Sequence, residues 1–226
     1  MGFHRGGRRW VPGPVFDFAF SLAGGPPRPR LCFLATAGGD QATAISGFYG
    51  AFAGTEVHAS HLALFDMPNV GDVRAHLLAQ EVIWVDRGSL VNLVAVWQAH
   101  GLDTILRECW EAGVVLAGES AGSLCWHQGG TTDSFGPKVT PAAGLGFLPY
   151  ANAVHYGQRR DSFRTLIGDG TLPEVGYATD AGAGLRYGGA ELVEAVCDRA
   201  NAAAYRVERT GEGSVKETVI EPRRLR

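Results

Sequence analysis

Val114-Val115-Leu116-Ala117-Gly118-Glu119-Ser120-Ala121-Gly122 is the stretch around which this chain is organised. Its four leading apolar residues are short enough, and β-branched enough, to form a strand buried on both faces. Gly118 to Gly122 then spells G-x-S-x-G, and Ser123-Leu124-Cys125-Trp126 can open a helix. A chain reversing that sharply needs small residues, and the turn carries Ser120 to its tip at a helix N-terminus. Backbone N–H groups there can face a developing oxyanion. Five letters alone are a weak signal in a chain with 32 glycines. The strand–turn–helix context favours a nucleophile over a tight turn bearing a surface serine.

The bulk numbers bound the rest. A chain of 226 residues can bury a full core, and one domain spanning 1–226 is the expectation. Hydrophobic residues make up 46%, charged residues 19%, and the net charge is −3, which gives no electrostatic case for a nucleic-acid partner. Cys32, Cys109, Cys125 and Cys197 lie apart in apolar surroundings without a C-x-x-C pair, as small buried hydrophobes do in a reducing compartment. His4, Arg5, Arg8 and Arg9 precede Asp17 and two prolines rather than an apolar run, so no secretory signal is expected. No run of 18 apolar residues offers a membrane span, and a cytoplasmic address follows.

Residues 1–30 read as an irregular Gly/Pro/Arg-rich extension with one short helix near Val15–Phe20. Leu31–Thr36, His58–Phe65 and Val82–Val85 read as strands. Asp40–Phe52, Asp72–Gln80, a face of Leu90, Leu93, Val94 and Trp97, and Asp103–Ala112 with Gly113 as its stop, read as helices. This alternation predicts an α/β protein with a doubly wound, mostly parallel sheet covered by helices on both faces. Ligands on such sheets bind at the carboxyl ends of the strands, where Gly88 and Ser120 fall. Beyond the elbow the chain reads as loop-rich to Pro149, Ala151–Tyr156 as a strand and Asp161–Ile167 as a helix. The tail from Tyr177 to Ile220 reads as β-hairpins.

A serine needs a base, and the base a carboxylate. Of seven histidines, His155 ends a predicted strand at the rim of the elbow, whereas His127 falls two helical turns below Ser120. Asp133, on the polar loop Gly130–Pro137, is the candidate acid, with Asp161 and Glu119 as competitors. The order Ser120, Asp133, His155 is compressed into 36 residues. That compression, with the absence of an HGGG-type segment, counts against an esterase or lipase.

The elbow, Thr131-Thr132-Asp133, Val154-His155-Tyr156 with Arg159-Arg160, Phe33–Asp40 and Leu93–Trp97 together resemble the peptidase E family. This is the aspartyl dipeptidase and cyanophycinase group of serine peptidases. The resemblance runs from about Leu31 to about Val196 and implies a class I glutamine amidotransferase-like fold. It implies Ser120 as nucleophile, His155 as general base, Asp133 as acid, and the Ala121 and Gly88 N–H groups as the oxyanion hole, with no metal or cofactor. The chain departs from relatives where they commonly read Gly-Gly-Gly-Asn-Thr, since it has Asp86-Arg87-Gly88-Ser89-Leu90. An N-terminal aspartyl substrate needs a cation for its carboxylate, from Arg160, Arg159 or Arg87, and an anion for its amine, from Asp86 or Glu119.

The resulting expectation is a serine-type dipeptidase acting on short peptides, with the oligomeric state, monomer or homodimer, left open. The altered Asp86-Arg87 loop motivates one alternative, a non-catalytic binding or sensor protein on the same scaffold. Another amide or ester hydrolase, such as one cleaving β-aspartyl linkages, is the second.

Overall fold

The apolar tetrads of the first half are strands because they sit side by side in one parallel sheet, where each strand shows apolar side chains to two layers. The computed structural model describes residues 1–6, 9–211 and 213–226; Arg8 of the basic segment lies outside the described residues. Its contacts gather into two compact units, residues 2–122 and residue 1 with 123–226.

In the first unit, β1 (Phe3–Gly6) and β2 (Arg9–Pro12) form an antiparallel hairpin, followed by α1 (Val15–Leu22). Then come β3 (Arg30–Leu34), α2 (Ala42–Phe52), β4 (His58–Leu62), α3 (Val73–Leu78), β5 (Val82–Val85), α4 (Leu90–Ala99), α5 (Leu102–Glu111) and β6 (Val115–Gly118). The sheet order is β4-β3-β5-β6, all parallel. Period-two alternation divides β3 between faces: Leu31 and Phe33 join the aromatic layer of α1, α2 and the hairpin, while Cys32 faces His76 of α3. Asp72 and Ser89 cap α3 and α4 by accepting from the N–H groups of Ala75 and Asn92. Gly113, at φ 90°, ends α5, with its N–H on Trp110 O and that of Val114 on Cys109 O.

Two expectations need correction here. Residues 1–30 are not an irregular extension. Phe3 is buried among Trp10, Phe16, Phe33, Phe48, Phe52 and Trp84, with ring centroids 4.7–6.3 Å from its own, so the hairpin belongs to the core. β6 is only half-buried, because it lies at the edge of its sheet rather than in the middle.

After the one-turn α6 (Ala121–Leu124), the second unit contains β7 (His127–Thr132), β8 (Thr140–Ala143), β9 (Leu148–Val154), α7 (Tyr156–Gly168) and β10 (Val175–Thr179). It continues with β11 (Ala183–Gly188), β12 (Glu191–Cys197), β13 (Ala204–Gly211), β14 (Ser214–Ile220) and β15 (Arg223–Arg224). The order β14-β13-β10-β9-β7-β8 is parallel across β10, β9 and β7 and antiparallel outside them; β11-β12-β15 is a separate small sheet. Phe163 and Ile167 of α7 pack on Ala151, Ala153, Ala178 and Val207. β7 and β8 occupy the stretch expected to be loop. His127-Gln128-Gly129-Gly130-Thr131-Thr132 has no apolar alternation to betray a strand, and its ladder partners supply the burial. The four cysteines are buried thiols outside any disulfide, as read.

Candidate active site

Ser120 lies two residues past the end of β6 and holds a left-handed backbone, φ 57°. For a residue with a side chain, such a conformation costs about 1–3 kcal/mol and persists only where the surroundings enforce it. They do so through the flanking glycines. A Cβ at Gly118 would lie 2.4 Å from Gly122 O, and one at Gly122 would lie 2.2 Å from Val85 O. The Glu119 N–H donates to Val85 O at 3.0 Å and the Gly122 N–H to Glu119 O at 3.0 Å, closing the turn. One correction concerns the helix beyond. α6 is a single turn of four residues starting at Ala121, so the aligned dipole of a long helix is absent and the local N–H groups carry any anion stabilisation.

β5 and β6 pair with Val85 opposite Gly118, so the loop through Gly88 and the elbow leave adjacent strand ends, about 4.8 Å apart. Gly88 cannot be replaced without rearrangement. Its φ is 148°, and a Cβ would meet Ala37 O at 2.1 Å. The Ser89 N–H donates to Ala37 O at 2.8 Å and fixes the loop from its far side. Asp86, expected at the border of a pocket, is buried instead and forms an ion pair with Arg5 of β1. Burial raises its pKa, Arg5 opposes that rise, and neighbouring Glu119 adds to it. Glu119 receives Arg5 at 3.0 Å and Arg87 at 2.9 Å; the Arg87 side chain is 51% exposed.

The second unit brings Asp133 and His155 to neighbouring strand ends. Gly130 stands opposite Asn152 in the parallel β7–β9 ladder, and Asp133 and His155 are each the first residue past their strand, at the same edge of the sheet. His155 is also left-handed, φ 54°, at the entry to α7. One turn into that helix, Arg159 is 7% exposed; it donates to Thr131 O and, at 3.0 Å, to Asp133 Oδ1. The Asp133 loop is thereby tied to the helix that His155 opens. Thr132 Oγ1 and Ser134 Oγ, 2.8 Å apart, tighten it further, and the Asp133 side chain stays 62% exposed.

Arg160 pairs with Glu217, which also receives the Tyr156 hydroxyl at 2.7 Å and Arg164 at 3.3 Å. Arg160 above all holds the Glu217 carboxyl down to about 2, against the desolvation of partial burial. His127 lies on strand β7, not two turns down a helix. It is buried, with Nδ1 3.0 Å from Ser123 O and Nε2 3.2 Å from Tyr187 Oη, and burial lowers its pKa to about 4. Arg5 is the participant that sequence reasoning missed, since it read only as part of a basic N-terminal segment. Among the described residues no group of three or more His, Cys, Asp or Glu side chains could hold a metal, and no helix is long and apolar enough to cross a membrane.

Within the first unit, a parallel sheet with a strained serine just past one strand and a glycine loop at the adjacent strand end has the form of an elbow-type hydrolase. Comparison with known proteins narrows this. The model of peptidase family S51 matches residues 17–193. A Bacillus subtilis (strain 168) protein named "Uncharacterized peptidase YgaJ" is 43% identical over 183 residues, covering 80% of this chain and 78% of that one. A crystal structure titled as a putative peptidase E protein from Listeria monocytogenes EGD-e matches with a TM-score of 0.53 at 14% identity, over 92% of this chain and 93% of that one. A peptidase structure from an acI-B1 actinobacterium matches with a TM-score of 0.57 at 17% identity, over 92% and 89%. The two structures show the fold. The chain belongs to peptidase family S51 and is a serine-type peptidase of the peptidase E kind.

Proposed function

We propose that the two units act as one hydrolytic domain that cleaves short peptides, dipeptides with an N-terminal aspartate first among them, through Ser120, His155 and Asp133. The observation that carries this reading is the left-handed Ser120, held between β6 and α6 by glycines that admit no Cβ. His155 takes the hydroxyl proton as Ser120 attacks the peptide carbonyl. Asp133, with one oxygen on Arg159, steadies the imidazolium with the other. The Gly88 and Ala121 N–H groups receive the tetrahedral oxyanion; loss of one such donor in other hydrolases raises the barrier by about 3–4 kcal/mol. His155 then protonates the leaving amine, and water, activated by the same imidazole, releases the acyl group from Ser120.

Among the three candidate arginines, Arg87 is the one that meets a substrate carboxylate. It is half-exposed and bound to the residue preceding the nucleophile, whereas Arg159 is buried and Arg160 is engaged with Glu217. Glu119, neutralised from two sides, is left as the anion nearest a substrate amine. The cytoplasm, with its supply of short peptides and its reducing conditions for four thiols outside any disulfide, is the proposed location.

Turnover of a panel of Asp-X dipeptides, isoaspartyl dipeptides and p-nitrophenyl esters by wild type and Ser120→Ala tests the reading. It expects release of free aspartate from the Asp-X members, abolished in the variant. Turnover of the isoaspartyl members alone would assign a β-aspartyl hydrolase instead. Inertness of the folded wild type toward the whole panel would favour a non-catalytic binding protein.

A further inference from the structure

Arg5 stands 81 positions before Asp86 in sequence, yet its guanidinium joins that buried carboxylate to Glu119. Each partner sits at a decisive place. Asp86 begins the loop that presents Gly88, its own N–H donating to Leu34 O at 3.0 Å. Glu119 immediately precedes Ser120, its N–H fixed on Val85 O. One cation therefore ties the oxyanion loop of β5 to the elbow of β6, with Nη2 of its guanidinium facing both carboxylates.

The hairpin that carries Arg5 is built for this contact. Its guanidinium lies 4.0 Å from the centroid of the Trp10 ring, on the paired strand, and Phe3 anchors the hairpin in the aromatic core. Gly2 packs so closely on the elbow that a Cβ there would lie 2.6 Å from Glu119 Oε2. The hairpin, Phe3–Pro12, lies wholly outside residues 17–193, the part that matches the family. A buried aspartate without a cation would be an uncompensated charge that the loop could relieve only by moving.

We propose that Arg5 is a positioning residue for catalysis: the amino-terminal hairpin locks the Gly88 loop against the Ser120 elbow through the Asp86–Arg5–Glu119 bridge. This rests on the reading of Ser120 as nucleophile and Gly88 as oxyanion donor. Arg5 touches no reacting atom; it sets the spacing between groups that do. Removing it lets Asp86 seek water and carries Gly88 out of line, slowing attack while leaving substrate binding much as it was.

The test is the reaction of Ser120 with a fluorophosphonate, which needs an activated serine and an oxyanion site but no known substrate. The maximal rate of inactivation, the apparent affinity and the melting temperature would be measured for wild type, Arg5→Met, Asp86→Asn and the double variant. Arg5→Met should lower the maximal rate at least tenfold with affinity within about twofold. Asp86→Asn should slow the reaction as well, and the double variant should be about as slow as Arg5→Met, because both substitutions break one bridge. A folded Arg5→Met that reacts within twofold of wild type overturns the proposal, as does a double variant whose loss is the product of the two single losses. If Arg5→Met does not fold, Arg5→Lys carries the test. Keeping the charge on a shorter side chain that does not reach the Nη2 position should reduce the rate several-fold at unchanged affinity, and an unchanged rate would mean that Arg5 serves stability alone. A wild type that never labels at Ser120 defeats the nucleophile reading and this inference with it; a labelled wild type with insensitive Arg5 variants defeats the inference only.

Discussion

Three residues outside the glycines hold a left-handed backbone among those described, and two of them are Ser120 and His155, the nucleophile and base read from the sequence. Positive φ at a residue with a side chain is uncommon, so the coincidence supports the assignment independently of the motif that suggested it. Gly88 tests the same idea by subtraction. Gly88→Ala must displace Ala37 O, 2.1 Å from the new Cβ, and should cut the fluorophosphonate reaction rate at least a hundredfold, with a lowered melting temperature. His127 supplies the contrast. Since burial depresses its pKa to about 4 from an unfolded value near 6.5, the unfolded chain binds more protons between those values. Stability is therefore fully present above pH 6.5 and falls by about 3 kcal/mol as the pH drops to 4. His127→Gln should flatten that part of the urea-denaturation pH profile and keep most of the activity. An activity loss equal to that of His155→Ala would mean that the base was misassigned. What the residue scale hid was Arg5: an ion pair across 81 positions leaves no local signature.

At the scale of elements, the first-unit strands and helices could be read because apolar runs, caps and the glycine stop at Gly113 each state their element locally. β5 falls on Val82–Val85 as read, and α4 begins at Leu90 behind its Ser89 cap. β7 was hidden for the opposite reason, being a strand of Gly, Thr, His and Gln whose burial comes from β8 and β9. This matters for the site, because parallel pairing of β7 with β9 brings Asp133 and His155 to the same edge of the sheet. The sequence reads Asp133 as fixed by hydrogen-bonding neighbours on its polar loop; the structure adds Arg159, whose guanidinium donates to its carboxylate. Arg159→Gln should free the loop and lower kcat more than it raises KM, as steady-state kinetics would show. Arg160 is expected to behave differently. Its partner Glu217 has a carboxyl pKa of about 2 in the folded chain, below its usual range, so the pair stabilises above about pH 4.5 and loses that contribution as pH falls toward 2. Arg160→Ala should remove about 1 kcal/mol or less at neutral pH, Arg160 being half-exposed, and weaken the acid dependence while labelling at Ser120 proceeds within a few-fold of wild type.

For the whole molecule, the match to peptidase family S51 over residues 17–193 covers the elbow, the Gly88 loop, Asp133 and His155. The aminoterminal hairpin lies beyond it and is nonetheless packed into the first unit's core. Fold class and family were legible because strand–helix alternation and the ordered set of motifs survive in a single sequence. The grouping of contacts into two units was not, since the division falls inside the one-turn α6, where no linker-like stretch marks a boundary. The central claim, that the proton of Ser120 is taken by His155, is tested most directly by intact-mass spectrometry after fluorophosphonate treatment of wild type, Ser120→Ala and His155→Ala. A single adduct on Ser120 in wild type, none in Ser120→Ala, and labelling slowed at least a hundredfold in His155→Ala is the predicted result. Labelling of folded His155→Ala at the wild-type rate, or an adduct of equal yield in Ser120→Ala, would contradict it.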